Sequence, residues 1–123
     1  MMWGKVKIDK ADKIFADYVK KKADYKCAYC GKDCSENPRG LHLSHYWGRG
    51  HEAGRFDLEN CDALCAYHHS FLGHGEGRDI YKTFKIKQLG QKKFKLMDAR
   101  DHGYCKKDRK LMYIIFKKLF DEL

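Results

Sequence analysis

The sequence predicts a small α+β domain, a short hairpin clasped by two cysteine-bearing turns and framed by helices at both ends. Three observations predict it. Cys27-Ala-Tyr-Cys30 and Cys65-Ala-Tyr-His68 repeat one ligand spacing on either side of a stretch too long for a simple ribbon. Apolar residues recur at helical period before the first turn and again over the last third of the chain. Between the turns, the run Leu41 to Trp47 is short, largely apolar and broken by Gly48 and Gly50, the signature of a strand and its end.

Taken in order, Ile8, Ala11, Ile14, Phe15, Tyr18, Val19 and Lys22 lie at helical spacing behind Asp9 as cap, which predicts a helix over 9–23. The first turn, 27–30, follows, then a loop marked by Asn37-Pro38 and Arg39-Gly40. A hairpin is expected over 41–60, with the return strand or extended arm at 53–57. Residues 58–63 lead into the second turn, 65–68, which opens a brief helix. Gly73, Gly75 and Gly77 end that helix, because glycines so closely spaced cost too much backbone entropy. Helices over 79–89, 92–102 and 108–122 complete the C-terminal frame, 79–122, with Gly90 and Gly103 as stops and Asp108 as cap. Leu111, Ile115, Leu119 and Phe120 are the expected buried stripe of the last one. At 123 residues the chain is one domain, 1–123. A domain of that size buries about two-thirds of its unfolded surface, so a structural metal supplements its core.

The turns suit zinc, which takes thiolate and imidazole tetrahedrally. Cys27, Cys30, Cys65 and His68 are the expected shell, with Cys34 or Cys61 as substitutes and Cys105 without a role. Six cysteines also fit a disulfide framework, but the first ten residues lack a signal peptide's apolar stretch, so a cytoplasmic chain with reduced thiols is expected. No run approaches the roughly 20 apolar residues that span a bilayer. The 26 Lys and Arg against 17 Asp and Glu leave +9, which favours an acidic partner such as a nucleic acid. Arg49, Arg55 and the lysine-rich first helix are the candidate phosphate contacts.

His45 ends the expected strand, and an imidazole with a pKa near 6.5 is suited to taking a proton from water. The Gly48-Arg49-Gly50 turn after it suits a phosphate. Asn60 is expected to bond across the hairpin and hold His45, to cap the turn before Asp62, or to do both. His69 follows His68, so on a helix it points about 100° away from the structural metal and can serve a second one.

Leu41-His-Leu-Ser-His-Tyr46, Arg55-Phe-Asp-Leu-Glu-Asn60 and Cys65-Ala-Tyr-His-His69, set between the two knuckles, resemble the HNH endonuclease family. Within it they look most like phage recombination endonucleases of the NinG or Rap type, over Tyr25 to Leu96. The resemblance implies a ββα-metal (HNH, His-Me finger) core and hydrolysis of DNA phosphodiester bonds, in duplex or branched DNA. It makes His45 the general base, Asn60 its orienting partner and His69 a ligand of one catalytic divalent ion, magnesium, manganese, nickel or zinc. Many family members carry an acid or histidine just before the base, where this chain has Ser44. His42, on the same strand face, is the substitute ligand. A further family ligand one turn past His69 falls on Gly73, which leaves His74 as the candidate. Ser44 and Gly73 also motivate the alternative, a non-catalytic zinc-binding nucleic-acid adaptor on the same scaffold. Oligomeric state stays open, since the apolar last helix serves a dimer or the core equally well.

Overall fold

The computed structural model describes residues 7–73 and 75–123. Among them, five α-helices surround one two-stranded antiparallel sheet. In chain order these are α1 (Lys10–Lys22), β1 (Leu41–His45), β2 (Cys61–Cys65), α2 (Ala66–Gly73), α3 (Arg78–Leu89), α4 (Gln91–Asp101) and α5 (Arg109–Glu122). None of these helices is long and apolar enough to cross a membrane.

α1 starts where the sequence places it. The Asp9 side chain accepts from the Asp12 backbone N–H while the Asp12 carboxylate accepts from the Asp9 N–H, a reciprocal cap. Ala11, Phe15, Tyr18 and Val19 are buried on the face that packs against α5. Phe116 of α5 meets Phe15 edge-on at 4.7 Å and Tyr18 at 5.7 Å, and Phe56 reaches Phe15 at 5.6 Å. Each such ring contact adds about 0.5–1.5 kcal/mol beyond area burial. These rings set the rotation of α5, which differs from the expected one. Phe116 is the buried residue, flanked by half-buried Met112, Tyr113, Leu119 and Phe120, whereas Leu111 and Ile115 face outward. Both stripes satisfy the helical period, and the aromatic partner on α1 decides between them.

The hairpin also departs from expectation. Leu41 pairs with Cys65 and His45 with Cys61, so the return strand is 61–65 rather than 53–57. Residues 46–60 are a loop holding two short 3-10 turns, Glu52–Gly54 and Leu58–Asn60. β2 is buried along its whole length, Asp62 included. Asp62 hid the strand, because a carboxylate argues for a loop unless its partner is known. That partner is Lys85, wholly buried on α3, whose Nζ lies 3.0 Å from Asp62 Oδ2. Gln88 Nε2 donates to the other oxygen at 2.7 Å. Removing one member of a buried pair of this kind costs about 3–5 kcal/mol. α2 follows β2 directly and packs on both strands, and α4 packs on the 52–54 turn.

Candidate metal centre and the neighbouring cleft

The first knuckle is shaped by left-handed backbone at Asp24 and Tyr25, φ 57° and 58°, which turns the chain out of α1. Cys27 N–H donates to Lys32 O, Gly31 N–H to Cys27 O, and Ala28 N–H to Ala63 O, which docks the turn on β2. The second knuckle is the junction of β2 and α2. One ligand atom from each of Cys27, Cys30, Cys65 and His68 then lies within 4.8 Å of the others. Cys30 Sγ is 3.9 Å from Cys65 Sγ, which is 3.2 Å from His68 Nδ1. A tetrahedral zinc with sulfur at about 2.3 Å has sulfur edges of about 3.8 Å, so the quartet fits a structural zinc. Burial acts to raise the Cys27 thiol, but hydrogen bonds from the Cys30, Cys65 and Tyr29 backbone outweigh it and hold the group below its ordinary value. The substitutes fall away: burial and the Asp62 carboxylate push Cys61 well up, keeping it a thiol, and the Cys34 thiol faces Lys32 O.

His69, the next residue on α2, turns toward the sheet instead. Its Nδ1 lies 2.9 Å from His42 Nδ1 on β1, with the rings nearly perpendicular. At that distance the two ring nitrogens are within hydrogen-bond reach of each other. Ser44 is buried with its Oγ 3.0 Å from the Tyr81 hydroxyl, so that oxygen is already engaged. His74 lies outside the described residues.

His45 and His69 line one cleft of about 320 Å³, together with Arg49, Gly48 and Gly73. His45 Nε2 is 3.0 Å from the Arg55 carbonyl. A carbonyl only accepts, so Nε2 carries the proton and Nδ1 the lone pair. The ring packs near Phe15, 6.4 Å between centroids. Burial first, and then the Arg49 charge, bring its pKa down to about 4 against the opposing pull of the Arg55 carbonyl, so it is neutral at neutral pH.

Asn60 does not touch the imidazole through its side chain. Fully buried, it accepts from Trp47 N–H at 2.8 Å and donates to Trp47 O and Gly54 O, each at 3.0 Å. It ties the two ends of the loop that presents the Arg55 carbonyl to His45. Gly54 is held to glycine by crowding, since a Cβ there would sit 2.8 Å from Asp101 Cβ and 2.9 Å from Asn60 Nδ2.

Arg55 corrects the expectation of a phosphate contact. It is 4 % exposed, and its Nε and Nη2 grip the Asp12 carboxylate at 2.8 and 2.6 Å, with Glu52 at 3.4 Å. Burial acts to raise Asp12, yet the Arg55 bonds and the Asp9 cap carry it below the usual carboxylate range. Arg49 remains at the cleft, its side chain 29 % exposed and 4.0 Å from Asp12. Asp12 and Phe15 build this loop and the wall behind His45, and neither carries a functional mark in the sequence, where Phe15 is one apolar residue of a helix face. The signal for Asp12 was a carboxylate inside an apolar stripe, which needs a buried cation to be tolerated there. No protein-family model, no curated protein and no solved structure matches this chain.

Proposed function

We propose that the chain is a metal-dependent, HNH-type endonuclease that hydrolyses DNA phosphodiester bonds. One observation carries this reading: a single cleft presents a neutral His45 of fixed tautomer beside His69, which is itself 2.9 Å from His42, with Arg49 on the rim. His45 Nδ1 takes a proton from water as the water oxygen bonds to phosphorus and the sugar oxygen leaves. Arg49 pairs with the non-bridging phosphate oxygens. His42 and His69 would hold the divalent ion, which when bound supplies Lewis-acid stabilisation of the charge developing on the phosphoryl group and the leaving oxygen. The Cys27, Cys30, Cys65 and His68 cluster contributes rigidity, because it fixes the start of α2 against β2 and so sets where His69 stands relative to His42.

The test is cutting of supercoiled plasmid by the wild type and by His45→Ala, in EDTA and in magnesium, manganese, nickel or zinc. Metal-dependent nicked or linear product from the wild type alone is the expected result. Absence of cutting in every metal, with plasmid mobility still shifted, would replace the enzyme with the zinc-binding nucleic-acid adaptor.

A further inference from the structure

A zinc quartet accounts for the outer positions of each knuckle but not for the tyrosine inside it. Tyr29 and Tyr67 occupy the same place in the two turns, and neither ring is buried, at 40 % and 71 % exposed. Both rings lie against the His68 imidazole, at 4.8 and 5.0 Å between centroids. One turn on from Tyr67, Phe71 is also exposed and parallel to it within 10° at 6.3 Å. On the other side Phe84 of α3 meets Tyr29 at 5.4 Å. Phe84, Tyr29, His68, Tyr67 and Phe71 therefore form one continuous row of rings across the knuckle pair. Beside the row, a cleft of about 500 Å³ runs between Tyr29 and α3; Lys87 is among its lining residues and no carboxylate is. Lys32, just past the first knuckle, is exposed as well, whereas the exposed Lys26 stands across a β-bridge from Asp33.

We propose that this row is a stacking platform for unpaired bases of a DNA strand, separate from the hydrolytic cleft. Tyr67 and Phe71 are each two residues from His69, about 200° around α2, so the platform lies on the far side of that helix. Exposed rings beside Lys32 and Lys87, with no carboxylate in the lining of the adjoining cleft, match a strand whose bases offer π faces and whose linkers carry charge, on a chain of net charge +9. That the strand is DNA rests on the nuclease reading; the stacking itself does not.

The experiment is fluorescence anisotropy with the whole zinc-loaded chain, without added catalytic metal, on labelled oligothymidylate of about 12 nucleotides, a duplex of equal length and oligouridylate. Tyr67→Ala and Tyr29→Ala are each expected to weaken oligothymidylate binding about tenfold, with Tyr→Phe restoring it and duplex affinity unchanged. Zinc content and melting temperature serve as the fold control, and Phe71→Ala, at a position that holds no zinc ligand, replaces any tyrosine variant that loses zinc. Unchanged single-strand affinity, an equal loss on duplex, failure of phenylalanine to restore binding, or a clear preference for oligouridylate each overturns the proposal. Loss of plasmid cutting with stacking intact overturns the nuclease reading alone.

Discussion

The zinc-type cluster and the His45 cleft meet at α2, which supplies His68 to one and His69 to the other, yet they are assembled in opposite ways. Each half of the cluster is a turn whose own spacing aims two ligands at one point, and only the docking of Ala28 on Ala63 is needed to bring the halves together. The cleft has no such local unit. His42 and His45 come from a strand and His69 from a helix, while the carbonyl that sets the His45 tautomer comes from a loop held by Asn60, Gly54 and the Asp12–Arg55 pair. The cluster should therefore fail only when a ligand is lost. The cleft should respond to residues that never touch substrate.

Losing a zinc ligand is the largest expected effect. Cys27→Ser or Cys65→Ser forfeits a metal contribution to folding of order 10 kcal/mol, more than a domain this small can spare. Both should abolish the cooperative melt along with bound zinc, and an unchanged melting curve for Cys27→Ser refutes the cluster as a structural element. His45→Ala sharpens the contrast from the other side. It should lower cutting about 10²- to 10⁴-fold, as loss of a general base does, while the chain keeps its zinc and a cooperative melt.

Two neighbouring arginines separate the architecture of the cleft from its chemistry. Arg55→Ala removes the closest partner of the buried Asp12 carboxylate, while Glu52 keeps Arg109, and should destabilise by about 3–5 kcal/mol, read as a drop in melting temperature and a disturbed cleft. Arg49→Ala should leave the melt almost unchanged and weaken DNA binding. If both variants melt alike, the division between scaffold and site is wrong.

A smaller effect probes the loop through pH. Asp101 of α4 is fully buried. Burial and the neighbouring Asp57 carboxylate push it up to about 7. Its proton, retained in the folded state and released in the unfolded one, stabilises the fold below the unfolded pKa near 3.8, and this contribution is lost as pH rises through about 7. Melting temperature should fall between about pH 5 and pH 8, and Asp101→Asn, which keeps a donor for Asp57, should flatten that fall. An identical pH profile for the variant would remove the shared proton from the account. The mildest test concerns the whole basic surface: if about six phosphates are neutralised, log affinity for DNA falls with log salt at a slope near −5. A flat response would leave Arg49 without a partner of the proposed kind.

The sequence by itself determined whatever depends on neighbours a few residues apart. It placed the zinc-type quartet, the Asp9 cap of α1, the glycine stop of α2 and the C-terminal helices, because capping, ligand spacing and backbone entropy act within a turn or two of the chain. It also picked out His42, His45, Asn60, Arg49 and His69, and the family resemblance set His42 and His69 side by side. Only the tertiary structure decided that the Asn60 side chain bonds the Trp47 and Gly54 backbone rather than His45, and that Arg55 belongs to the core. The same holds for β2 and for the rotation of α5. Asp62 is tolerable in a strand only because Lys85 folds over it, and Phe116 faces inward only because Phe15 waits on α1. Charges and rings are ambiguous in sequence for one reason: their energy is set by desolvation and by partners, and both are fixed by residues far along the chain.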